Sequence, residues 1–195
     1  IFYPGSLYFV LRALIPAIPS PHRARQAKPA GPFVRIESLS SDPTTIMLVF
    51  QARTALSAHA RSRLESRLRE LDPDLVLGAV VDLYFVQPES GQALDEAALE
   101  RVLGADRLNA GLPPGRLALP RLGTISPWSS KATEIVRGAG LAVRRVERGQ
   151  HFALQGLAPE HAPVVAALLH DPMTQSLLAD LEAARGLFDA PAPGG

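Results

Sequence analysis

Cysteine is absent from all 195 residues. Disulfides, thiolate metal sites and a cysteine nucleophile are thereby excluded, and the composition fits a reducing compartment such as the cytoplasm. An excess of one charge sign is also missing: 20 Lys and Arg stand against 19 Asp and Glu, for a net charge of +1 at pH 7. No broad basic footprint for nucleic acid results. Aromatics are sparse at 6%, and the five histidines, His22, His59, His151, His161 and His170, lack HExxH or His-x-His spacing. They read as surface or satisfied side chains rather than metal ligands. No Walker loop, no GxGxxG fingerprint and no acidic cluster suited to magnesium phosphates occurs. Long hydrophobic runs are lacking too. Leu7 to Leu11, the richest part of residues 1–19, is followed at once by Arg12, flanked by Pro4, Pro16 and Pro19, and preceded by no basic segment, so neither an export signal nor a membrane span is expected.

What is present is ordinary globular material, 47% hydrophobic and 20% charged, with one stretch that composition alone would not produce. Gly123-Thr124-Ile125-Ser126-Pro127-Trp128-Ser129-Ser130-Lys131-Ala132 combines a strand exit, a glycine loop, clustered hydroxyls and a helix start. Upstream, Arg116 to Pro120 reads as a strand. Downstream, Ala132, Ile135, Val136 and Ala139 recur at helical spacing. Ser126 and Pro127 suit an N-cap and first helical residue, with Ser129 or Ser130 as an alternative cap one turn later. Two readings of this loop stay open. Arg121, Gly123, Thr124, Ser126, Ser129, Ser130 and Lys131 are the ingredients of an anion or phosphate site at a helix start; equally, they make a well-capped helix with Trp128 packed over it.

Taken in order, residues 1–46 read as an extension outside the folded unit, Pro- and Arg-rich from Ser20 to Asp42. Met47 to Gln51 begins a strand, and a helix with Ser57 as cap follows, carrying Leu64, Leu68 and Leu71 on one face and a solvated row of arginines on the other. Ala79 to Val86 is a strand and Asp95 to Leu103 a helix, and Gly104 to Gly115 is a loop. After the central loop and its helix, which stops at Gly138 and Gly140, Leu141 to Glu147 and His151 to Gln155 are expected as strands joined by a hairpin turn at Arg148-Gly149-Gln150. A helix spans Pro159 to His170, another runs from about Met173 to Phe188, and residues 189–195 form a Pro/Gly linker. The fold class is α+β: two fused ferredoxin-like halves of β-α-β-β-α type whose sheets bury one face under their helices.

The run Pro120-Arg121-Leu122-Gly123-Thr124-Ile125-Ser126-Pro127-Trp128-Ser129-Ser130-Lys131-Ala132 closely resembles the signature of the N-terminal domain of large-type phosphoribosylformylglycinamidine synthase. That enzyme is a glutamine-dependent amidotransferase of purine synthesis; a second proline commonly stands in its family at the position of Leu122. Leu169-His170-Asp171-Pro172-Met173 resembles a second family segment, with Pro172 in place of an arginine. The resemblance covers roughly 47–188. It implies a domain like a fused dimer of the small subunit found in split versions of the enzyme, inert alone, which docks against the synthetase and glutaminase domains. ATP and magnesium belong to those other domains, and no cofactor is implied for this chain. Exposed Trp128, Arg121 and Lys131 would then serve as interdomain anchors. The alternative is a stand-alone ferredoxin-like regulatory module binding an anionic metabolite between Gly123 and Lys131. An RNA-binding sheet is disfavoured, because Tyr84 and Phe85 alternate faces and at most one could stack a base.

Overall fold

The computed structural model describes residues 47–189. The expected extension over 1–46 and the tail from 190 onward lie outside these residues.

The elements run β1 (Leu48–Ala55), α1 (Ala58–Leu71), β2 (Val76–Pro88), α2 (Glu96–Leu103), β3 (Ala105–Arg107), β4 (Gly115–Pro120), α3 (Pro127–Gly138), β5 (Val143–Gln155), α4 (Ala162–Leu169) and β6 (Gln175–Leu178), with short 3-10 turns at Pro159–His161 and Glu182–Phe188. The helix starts follow local chemistry. Ser57 and Asp95 accept the amides of Ala60 and Ala98 at 3.3 and 2.9 Å, satisfying donors that a helix leaves free at its N-terminus.

All strands join one antiparallel sheet in the order β3-β1-β2-β5-β4-β6. The unit β-α-β-α-β thus occurs twice, β1 to β3 and β4 to β6, and the sheet order reads the same from either edge. The two halves meet at β2 and β5, where Asp82 faces Gln150, Leu83 faces Gly149 and Tyr84 faces Arg148. The α+β class and the repetition of strand, helix, strand, helix are as expected, but the ferredoxin-like β-α-β-β-α order is not: each half is β-α-β-α-β, the halves share a single sheet, and both faces of that sheet are covered.

Alternation along the strands splits the apolar side chains between two faces. On one face Phe50, Val86 and Val146 pack against Leu99 of α2 and Ala132 and Val136 of α3. Farther along it, Val80, Phe152 and Leu154 pack against Leu68 of α1 and Val165 and Leu169 of α4. On the opposite face Val49, Leu83, Phe85, Leu117 and Leu119 are covered by Leu181, Ala184 and Leu187.

Three sequence expectations are corrected. First, no hairpin turns at 148–150: β5 is continuous through Gly149. A Cβ on that residue would stand 2.2 Å from Leu119 Cδ2 and 2.9 Å from the Ala118 carbonyl oxygen. The glycine therefore serves close packing between β5 and β4, not reversal of the chain. Gly149→Asn, well tolerated in a hairpin turn, is expected to cost roughly 1–3 kcal/mol through overpacking; a denaturant midpoint equal to the parent's would restore the hairpin reading. Second, the helix expected from Met173 to Phe188 is a strand followed by a 3-10 turn. Asp171 accepts from Met173 N at 2.9 Å and from Thr174 Oγ1 at 3.0 Å. This local turn competes with helix initiation and delivers residues 175–178 to the open edge of β4. Third, the loop from Gly104 to Gly115 contains β3, paired with β1 through Phe50, Gln51 and Ala52.

Candidate functional site: the braced loop between β4 and α3

The segment between Pro120 and Pro127 is a strand-to-helix junction, as its sequence indicates. Thr124 donates to the Arg121 carbonyl through both its amide, at 3.1 Å, and its hydroxyl, at 2.6 Å. Gly123, third in this four-residue turn, has φ of +74°, the left-handed conformation that disfavours any side chain there. Ser126 then caps α3, its Oγ accepting from Ser129 N at 3.0 Å, and Pro127 opens the helix.

Behind this turn lies a carboxylate that the sequence reading did not single out. Glu147 of β5 is fully buried. Its Oε1 accepts from Ser126 N at 3.1 Å, and its Oε2 from Ser126 Oγ at 2.7 Å. Arg145, two residues earlier on the same strand face, donates to Glu147 Oε1 from Nη2 at 2.6 Å and from Nε at 3.2 Å. The guanidinium also donates to the carbonyls of Thr124 and Leu187 and lies 5.3 Å from the Phe188 ring centroid. One ion pair therefore ties the loop, β5 and the C-terminal 3-10 turn together. The positive end of α3 does attract a negative charge, but the chain supplies that charge itself. The helix is capped by Ser126, and the Ser126 amide and hydroxyl are both held by Glu147.

The remaining candidates divide. Trp128 is half-buried and stacks on Tyr84, with ring centroids 5.8 Å apart and planes 7° from parallel. Burial at this position raises the Tyr84 pKa. Ser129 is buried, and Ser130 is exposed. Lys131 is exposed but paired with Glu134 at 3.0 Å. Arg121 is exposed and makes no ion pair among the described residues, while its amide donates to the Thr174 carbonyl at 3.1 Å. Phe85 is in the core and Tyr84 is stacked under Trp128.

Two depressions flank the loop. One, about 780 Å³, is lined by Asp82, Arg148, Gln150, Trp128, Arg121 and Met173 among others. Arg148 and Gln150 both donate to the Asp82 carboxylate, at 3.1 and 2.8 Å. The other, about 310 Å³, is lined by Thr133, Arg137, Arg144 and Arg145. Ile125 lines both. Among the described residues no three His, Asp or Glu side chains gather as a metal site, and no helix is long and apolar enough to cross a membrane.

The histidines also separate. His161 pairs with Asp72 at 3.0 Å. A backbone hydrogen bond from Asp74 and this pairing both hold the Asp72 carboxyl below its ordinary range. His151, expected at the surface or satisfied, is only 2% exposed, and its Nδ1 has no partner among the described residues. Burial pushes its pKa below the usual 6.5, partly opposed by a hydrogen bond to the Pro113 backbone. The unfolded chain then takes up a proton that the folded chain refuses, so stability falls as pH drops below about 6.5. Thermal unfolding between pH 7.5 and 5.5 should show this decline, and His151→Gln should flatten it; an unchanged slope would remove His151 as its cause. The Asp72 contribution is lost only lower, through the carboxylate range.

Residues 81–188 match the family described as formylglycinamide ribonucleotide amidotransferase N-terminal. The match runs from within β2 through the C-terminal 3-10 turn and takes in the braced loop and the β2–β5 junction. It covers more than half of the 195 residues, and the chain belongs to this family.

Proposed function

We propose that this domain is the docking and coupling element of a phosphoribosylformylglycinamidine synthase. The parent reaction converts formylglycinamide ribonucleotide to the amidine with ATP and ammonia released from glutamine. The domain takes no chemical step. It packs against the synthetase and glutaminase portions and helps hold the geometry in which ammonia passes between them. ATP and magnesium act in the synthetase portion, in the cytoplasm. Family membership supports the assignment to this enzyme, and the doubled β-α-β-α-β unit fits a fused pair of small-subunit-like halves.

The observation that carries the docking reading is the braced loop. A buried ion pair holds it from behind while its crest, Ile125, stands 65% exposed. An apolar side chain held in place at the surface, with Leu122 and Met173 exposed nearby, gains burial when it meets a partner surface. The anionic-metabolite alternative is weaker, since Glu147 already occupies the amide and hydroxyl of Ser126. The test is the ratio of glutamine hydrolysed to amidine formed, in enzyme assembled with and without this domain. Excess hydrolysis without it is expected, and an unchanged ratio would reject a coupling role.

A further inference from the structure

Five large hydrophobic residues are exposed among the described residues, and three of them, Leu122 at 39%, Ile125 at 65% and Met173 at 79%, stand around the first depression. They are held together by backbone. The Arg121 amide donates to the Thr174 carbonyl, so the β4–α3 loop and the turn before β6 form one ridge. The cations beside the ridge are not equivalent. Arg148 is matched by Asp82, Arg145 by Glu147 and Arg137 by Glu89. Arg121 on one side of Ile125 and Arg144 on the other are exposed and make no ion pair among the described residues. An apolar crest with an unmatched guanidinium on either flank is complementary to one kind of surface.

We propose that this ridge inserts into an apolar socket bordered by carboxylates on the synthetase–glutaminase portion of the enzyme. Ile125 fills the socket, with Leu122 and Met173 at its margin. Arg121 and Arg144 meet the bordering carboxylates and set the orientation. The inference rests on the docking reading and adds to it the contact and the chemistry of the partner face. Polar rims of this kind act on orientation and on salt sensitivity, and the apolar centre on the lifetime of the complex.

The experiment is a calorimetric titration of the full 195-residue chain with the synthetase–glutaminase portion supplied as a separate polypeptide, at low salt and at about 0.5 M salt, where exposed charges are screened. Arg121→Glu and Arg144→Glu are each expected to weaken association about tenfold or more at low salt and less at high salt. Ile125→Ser should weaken it under both conditions. Arg63→Glu, which makes the same charge change on exposed α1, should leave it unaltered. All four positions are at the surface, so near-ultraviolet circular dichroism of Trp128 should match the parent. If the parent binds and all variants bind like Arg63→Glu, docking uses another surface and this proposal falls while the docking reading stands. Loss with Ile125→Ser alone overturns the acidic border. No association by the parent overturns the docking reading itself.

Discussion

Glu147→Ala is expected to destabilise the domain by about 3–5 kcal/mol, the usual cost of removing one partner from a buried ion pair. At about 2–4 °C per kcal/mol for a domain of this size, the melting temperature should drop by roughly 10 °C. The reason is the state of what remains. Arg145 is 12% exposed at its side chain and would keep its charge with only backbone carbonyls to accept it. Ser126 N and Oγ would lose their acceptor at the same time. Glu147→Gln preserves shape and one of the two acceptor oxygens but not charge, and should fall between parent and alanine variant. The double variant Arg145→Met, Glu147→Leu should recover part of the loss, because replacing both members of a buried pair with apolar groups is far less costly than orphaning one. Additive losses would mean that the two residues act independently, and a Glu147→Ala loss below about 1 kcal/mol would mean that the brace is ornamental.

The legible and illegible parts of this site differ in range. Ser126, Pro127 and Gly123 are read correctly from the sequence because caps and turns are chosen by residues a few positions apart. The alternation of β1, α1, β2 and α2, and of β4 and α3, is legible for the same reason, whereas β3, β6 and the continuity of β5 are not. Glu147 was passed over because its partners lie elsewhere: Ser126 is 21 residues away. A faint local signal existed. Arg145 and Glu147, at spacing two in a strand, must share a face, and on that face Gly149 and His151 are buried neighbours. Placing a turn at Gly149 obscured this alternation. The C-terminal segment failed differently. Leu177, Leu178, Leu181 and Ala184 fit a helical period, yet periodicity cannot report that β4 has an unpaired edge nearby. The stacking of Trp128 on Tyr84 is also non-local, joining residues 44 positions apart, and no local pattern reports it.

If the domain acts as proposed, its largest effect on the enzyme is on coupling. Ammonia released from glutamine is useful only if it reaches the acceptor before escaping to solvent, so under the proposed coupling role the domain would act on efficiency and leave the chemistry of each centre alone. Removing it should leave synthesis from added ammonia nearly intact, while synthesis from glutamine falls several-fold. Unbracing the loop with Glu147→Gln should move the enzyme part of the way in the same direction.

The most direct measurement follows glutamine hydrolysis and amidine formation together in one reaction, with the domain present and absent. We expect close to one glutamine per amidine when it is present, and a several-fold excess of glutamine consumed when it is not. The same ratio in both preparations, with ammonia- and glutamine-dependent synthesis lowered equally, would mean that the domain supports the synthetase fold or its chemistry and does not couple the two sites.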